Sequence, residues 1–195
     1  MVAFPEQFDQ SLVTIDSLAG SLSAHWMVIG GVSVASWGSP RATADIDVAL
    51  SVSLDRAEEV DQRLTQHGWA KTGGPEQIKD TGIHLVRYAK DLGQGRILGL
   101  DIFFSMNDWQ RAALGRRRRI LFRDRPLWTA SPEDLILYKL VADRGIDRDD
   151  VDNILSRRMV ELDRPYVDAW SRTLGLHARW LEALTRFHDR NDLGG

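Results

Sequence analysis

The stretch Ile29-Gly30-Gly31-Val32-Ser33-Val34-Ala35-Ser36-Trp37-Gly38-Ser39-Pro40-Arg41-Ala42-Thr43-Ala44-Asp45-Ile46-Asp47-Val48 decides the fold. The apolar run Trp26 to Ile29 predicts a short strand, ended by two glycines that let the backbone approach a ligand closely. Ser33 to Trp37 can then start a helix whose free N–H groups face phosphate. After the turn-rich Gly38-Ser39-Pro40, Ile46 to Leu50 predicts a second strand. Asp45 and Asp47 leave one face of it, about 6.6 to 6.8 Å apart along the chain, while Ile46 and Val48 turn to the core. Two carboxylates on one face repel unless a cation lies between them, and hard divalent ions such as Mg²⁺ take oxygen ligands of this kind.

A third acid stands in the otherwise apolar run Ile97 to Phe104, where Asp101 is costly without a cation. If that strand lies beside the first pair, three carboxylates converge, enough to hold two metals roughly 3.5 to 4 Å apart for an in-line phosphoryl displacement. One ion would bind a triphosphate. The other, with Asp101 as ligand and base, would lower the pKa of an acceptor hydroxyl.

The rest of the chain falls into two halves. Phe8, Leu12, Ile15 and Leu18 recur at helical spacing, Leu54 to His67 predicts a helix stopped by Gly68, and Ile83 to Tyr88 adds a strand. Gly73-Gly74-Pro75 reads as a loop and Lys90 to Gly95 as a turn, which makes a sheet of at least four strands. From Ser131 the pattern is helical: Ser131-Pro132-Glu133-Asp134 is an N-cap with proline and acids in the first turn. Helices over Asp149 to Arg158, Pro165 to Leu174 and Leu176 to His188 follow. The expectation is an α/β (α+β) core over residues 1–128 and a helical subdomain over 129–195.

Composition removes several classes. The 195 residues include no cysteine, so thiolate nucleophiles and cysteine zinc sites are out, and His25, His67, His84, His177 and His188 show no metal-ligand spacing. There is no P-loop, no dinucleotide fingerprint and no Gly-x-Ser-x-Gly elbow. No apolar window is long enough for a membrane span and the N-terminus lacks a signal pattern, so the expected location is the cytoplasm. The net charge of −3 hides an asymmetry: residues 1–105 carry 8 basic and 13 acidic side chains, residues 106–195 carry 17 and 15. Seven arginines lie between Arg111 and Arg125, a strip that either docks a polyanion such as RNA or covers apolar neighbours with its stems.

Gly30-Gly31, Asp45-Ile46-Asp47 and Asp101, in that order, resemble the DNA polymerase beta-like nucleotidyltransferase superfamily. Arg41-Ala42-Thr43-Ala44-Asp45-Ile46-Asp47 is similar to the bacterial branch related to abortive-infection type II toxins, as is Ser131-Pro132-Glu133-Asp134-Leu135 leading to Lys139, Arg144 and Asp147 to Asp152. The resemblance covers residues 26–155 and implies a mixed-sheet nucleotidyltransferase core. It implies Asp45, Asp47 and Asp101 as catalytic and metal-binding residues, with Gly30, Gly31, Ser33, Arg41, Lys139 and Arg144 at the nucleotide. Better-known members carry a serine directly after the first glycine; here Gly31 and Val32 follow, so backbone N–H groups or Ser33 take that place. Lys139 either reaches the triphosphate or runs to water, and Arg41 and Arg144 either contact phosphate or cap helices. Asp149 and Asp152 either orient these cations or serve as helix N-terminal acids, and Trp37 packs in the core or touches a base.

The implied reaction moves a nucleoside monophosphate from ATP or another NTP to a hydroxyl with release of pyrophosphate, using Mg²⁺ in a two-ion site, with Mn²⁺ as a substitute. The acceptor is tRNA or another RNA, a protein side chain or a small molecule, with the Arg111 to Arg125 cluster leaning toward RNA, and a toxin–antitoxin setting with a protein partner goes with the branch. The competing class is a non-catalytic nucleotide-binding or antitoxin-like regulatory protein; a hydrolase or kinase-like phosphotransferase using the same metals is the third.

Overall fold

The computed structural model describes residues 6–39, 43, 45–78, 81–105, 107–122 and 124–192, so Arg41 and Arg123 lie outside the described residues. The chain runs α1 (Glu6–Ser21), β1 (Trp26–Ile29), α2 (Gly30–Trp37), β2 (Asp45–Leu50), a 3₁₀ turn (Leu54–Arg56), α3 (Ala57–Gln66), β3 (Ala70–Ile78), β4 (Ile83–Asp91) and β5 (Ile97–Phe104). It continues with α4 (Asp108–Gly115), β6 (Arg118–Phe122), β7 (Arg125–Thr129), α5 (Pro132–Ala142), α6 (Gly145–Arg158), α7 (Arg164–Thr173) and α8 (His177–Asp192). Among the described residues the strands form one mixed sheet in the order β3-β4-β5-β2-β1-β7-β6. β2 runs parallel to β5 and β1 parallel to β7, while the remaining neighbours are antiparallel.

The two sheet faces follow from the period of two in the strands. Ile46, Val48 and Leu50 of β2 and Leu98, Leu100, Ile102 and Phe104 of β5 face α1 and α3, packing with Phe8, Ile15, Val60 and Leu64. Each such side chain, removed from water, contributes about 1.5–3 kcal/mol. On the opposite face Met27, Ile29, Ala49 and Ile83 pack with the later helices through Trp109, Leu135, Ile136, Val151, Ile154 and Trp180. The alternation breaks on this second face, where Asp45 and Asp47 of β2 and Asp101 of β5 stand in place of apolar residues.

Several local expectations hold and others need correction. Ser131 caps α5, accepting the Asp134 N–H at 3.2 Å, with Pro132 at its start. Gly73-Gly74-Pro75 is part of edge strand β3, whose register against β4 shifts between Lys71 and Gly73 and again between Gly73 and Glu76. Bulges let a strand carry glycine and proline that would break a regular ladder. The helix after β1 begins at Gly30, not Ser33, and the helix expected from Asp149 begins at Gly145. Helix α4 and the hairpin β6–β7 went unread, since their arginines mask the apolar alternation of Ile120, Phe122 and Leu127. Among the described residues no helix is long and apolar enough to cross a membrane.

Candidate active site

The register places Ile29, Asp47, Asp101 and Arg87 side by side across β1, β2, β5 and β4. Two residues earlier, on the same face, Asp45 is opposite Gly99. Both β2 carboxylates lie over glycines. A Cβ on Gly30 would overlap the Asp47 carboxylate and stand 2.8 Å from the Asp47 Cβ; Gly30 also has φ +64, which disfavours any other residue. A Cβ on Gly99 would overlap Asp45 Oδ1 and stand 3.0 Å from its Cγ. Burial, and after it the charge of Asp47, push the Asp101 carboxyl up to about 6, with Arg87 acting the other way.

These residues floor a cleft of about 350 Å³, within the range of small-ligand sites. Gly30, Thr43, Asp45, Asp47, Asp101, Arg87 and Glu76 line it together with Ile78, Ile83, Leu85 and Phe103. The end of α5 and the start of α6 supply a wall with Tyr138, Lys139, Arg144 and Asp147. Lys139, only 4% exposed, has its Nζ 3.0 Å from Asp147 and 2.8 Å from Asp150. Arg144 donates from Nε to Asp147 at 2.7 Å, and the Asp147 carboxylate also accepts the Arg144 N–H, closing the start of α6. Burial works to raise the Asp147 carboxyl, but the Arg144 and Lys139 bonds outweigh it and hold it below the usual range. The Arg144 guanidinium is held protonated first by Asp147 and, across the cleft, by the charges of Asp47 and Asp101.

The structure brings Gly30, Asp45, Asp47, Asp101, Lys139 and Arg144 to one cleft. It does not bring Ser33, which is fully buried with its hydroxyl 2.7 Å from Thr129 Oγ1, because the helix start at Gly30 turns Ser33 toward β7. Gly31 is buried in the first turn of α2. The acids holding Lys139 are Asp147 and Asp150, not Asp149 and Asp152: Asp149 is exposed, and Asp152 pairs with Arg186 and Arg190. Trp37 donates to the Ala130 carbonyl at 2.7 Å and, half-buried, packs against the core. Glu76, Arg87 and Gly99 went unread; the alternation of β4, which sets Arg87 on the face of Ile83 and Leu85, was the signal for one of them.

The arginine run is not one free strip. Arg116 pairs with Glu133 at 3.2 Å, lies near Asp134 and Asp163, and stacks 3.9 Å above Tyr166. Arg117 lies 4.4 Å over Trp128 and donates to the Leu114 carbonyl, and Arg111 pairs with Asp108. Both readings thus divide the run: its interior members cover and brace, while Arg118, Arg119 and Arg125 are exposed.

Among the described residues no three histidine or acidic side chains close up as a ready metal cage. The donor set nonetheless suits Mg²⁺, which is usually held by one or two carboxylates and completed by substrate phosphates and water. Carboxylates seated over glycines on rigid neighbouring strands, with Asp101 short of a full counter-charge, fit that open coordination.

No protein-family model matches this sequence, and no curated protein is detectably similar to it. Solved structures are similar. A solution structure of the antibiotic-resistance factor ANT(2'')-Ia has a TM-score of 0.54 at 13% identity, over 96% of this chain and 99% of that one. A crystal structure of ANT(2'')-Ia in complex with adenylyl-2''-tobramycin gives 0.52 at 15% identity, over 88% and 97%. An antigenic nucleotidyltransferase-like protein from Paracoccidioides brasiliensis gives 0.51 at 17% identity, over 78% and 77%. The likeness is one of fold: the chain has the architecture of solved nucleotidyltransferases and of a nucleotidyltransferase-like protein.

Proposed function

We propose that the protein is an enzyme, a Mg²⁺-dependent nucleotidyltransferase that moves a nucleoside monophosphate from an NTP to a hydroxyl and releases pyrophosphate. The observation that carries this reading is the juxtaposition of Asp47 and Asp101 on parallel strands, with Asp45 and Asp47 each seated over a glycine. Three mutually repelling carboxylates set in one floor favour a site for divalent cations, and so support transfer over binding of the bare nucleotide. The shared fold of the solved nucleotidyltransferases supports the same class.

When bound, divalent ions would neutralise the triphosphate and acidify the acceptor hydroxyl. Asp45 and Asp47 would hold the ion that accompanies the triphosphate, and Asp101, beside Asp47, would hold the second and accept the hydroxyl proton. Gly30 leaves room for the Asp47 carboxylate beside the start of α2, whose amides favour an anion. Arg144, exposed at the cleft wall, would contact phosphate, and Lys139 would add its charge from behind through Asp147. Helices from residue 129 onward would form a subdomain closing one side of the substrate.

For the acceptor we favour a small hydroxyl-bearing molecule over RNA. Beside its charged floor the cleft presents the aliphatic side chains of Ile78, Ile83 and Leu85, and Arg116 and Arg117 are engaged within the fold. The adenylyl-2''-tobramycin seen with ANT(2'')-Ia supports a small-molecule acceptor on this architecture. Incubating the protein with labelled NTP, Mg²⁺ and separate pools of RNA, protein and small alcohols tests this. Pyrophosphate released with label on a small product supports the reading. Label on RNA, with binding that falls steeply with salt, moves the acceptor to nucleic acid, and nucleoside diphosphate as product replaces nucleotidyl transfer by γ-phosphoryl transfer.

A further inference from the structure

The cleft floor carries a cation of its own. Arg87 follows Asp101 in the lateral row and is bound at two ends: Nη2 lies 2.7 Å from Glu76 Oε1, and Nε lies 3.8 Å from Asp101 Oδ2. Glu76 reaches this place through a bulge. Gly73 pairs with Arg87 and Glu76 with Leu85, so three residues of β3 span two of β4, and the extra residue turns Glu76 toward the guanidinium. Lys139 and Arg144, the other described cations of the cleft, are held by Asp147 and Asp150. Arg87 is therefore the described cation placed to balance Asp101.

A guanidinium that is tight on one carboxylate and loose on the next can change its share between them at little cost. A divalent ion arriving at Asp101 would repel Arg87, and Glu76 is already in place to take it fully. We propose that Arg87 and Glu76 form an exchangeable counter-ion pair: Arg87 balances Asp101 in the metal-free protein and transfers wholly to Glu76 when a divalent cation binds. Arg87 is then a positioning residue that holds down metal loading in the absence of nucleotide, and Glu76 is its receiver. This rests on the nucleotidyl-transfer reading.

The test is Mn²⁺ binding to the full chain without nucleotide, followed by the paramagnetic signal of the free ion, for wild type, Arg87→Gln, Glu76→Gln and the double variant. Both side chains are about half-exposed, and thermal unfolding of each variant verifies folding, with Arg87→Ala standing in should Arg87→Gln not fold. Arg87→Gln is expected to tighten Mn²⁺ binding about tenfold and Glu76→Gln to weaken it several-fold. The double variant is expected to match Arg87→Gln, because Glu76 matters only as the receiver of Arg87. Unchanged or weaker binding in Arg87→Gln overturns the proposal. So does a Glu76→Gln effect of equal size in both backgrounds, which is the signature of simple charge loss. Mn²⁺ binding by the wild type with NTP, alongside either of those results, leaves the functional reading standing; no Mn²⁺ binding even with NTP overturns both.

Discussion

The carboxylate of Asp47 lies over the Cα of Gly30, in the space a side chain at that position would fill. The first glycine of the strand-to-helix turn and the central acid of β2 are thus coupled, since any side chain at position 30 must displace Asp47. Gly30→Ala is expected to displace Asp47 and strain a backbone at φ +64, abolishing metal-dependent NTP binding and costing about 1–3 kcal/mol of stability. Calorimetry and thermal unfolding read the two effects separately. Gly99→Ala should act in the same way on Asp45 while leaving the backbone unstrained.

Asp101 makes the metal-free protein sensitive to pH. Its folded value of about 6 lies above the ordinary 3.8, so the folded state holds this proton more tightly than the unfolded chain. The resulting stability is fully present below about pH 3.8 and is lost as pH rises through about 6. Asp101→Asn is therefore expected to stabilise the metal-free protein at pH 7 by on the order of 2 kcal/mol, with the gain fading toward pH 4. Melting curves across that range check it; a pH-independent loss of stability would contradict it.

Lys139 is braced more firmly than a phosphate contact alone requires. Lys139→Met leaves Asp150 without its 2.8 Å partner and Asp147 with Arg144 only. Removing one member of a buried charge cluster costs about 3–5 kcal/mol, so a large drop in melting temperature is expected. The double variant Lys139→Met/Asp150→Asn should regain part of it.

Ser33, buried against Thr129, serves packing. Ser33→Ala is expected to leave NTP binding unchanged while costing about 1–3 kcal/mol from the unpaired Thr129 hydroxyl. Weakened NTP binding with intact stability would return Ser33 to the phosphate site.

The parts of the site legible in the sequence were those set by local period. The spacing of Asp45 and Asp47 already put both acids on one face of their strand, and Asp101 stood out as the lone carboxylate of an apolar run. What stayed hidden depends on pairing between distant segments. The parallel alignment of β2 with β5, which sets Asp47 beside Asp101, has no local signal, nor has the bulge that carries Glu76 to Arg87. Lys139 illustrates the same limit: an acidic run in α6 was visible, but which of its acids turn inward depends on where the helix starts, and it starts at Gly145. The arginine run stayed open between two readings because composition does not reveal that Arg116 is engaged by Glu133 and stacked on Tyr166 while Arg118, Arg119 and Arg125 are exposed.

The most direct test of the carboxylate floor is calorimetric titration of each NTP, with and without Mg²⁺, into the wild type and into Asp45→Ala/Asp47→Ala. At least one NTP is expected to bind the wild type only with Mg²⁺, and at least tenfold more weakly to a folded variant. NTP binding that ignores both the metal and the two substitutions would contradict the account.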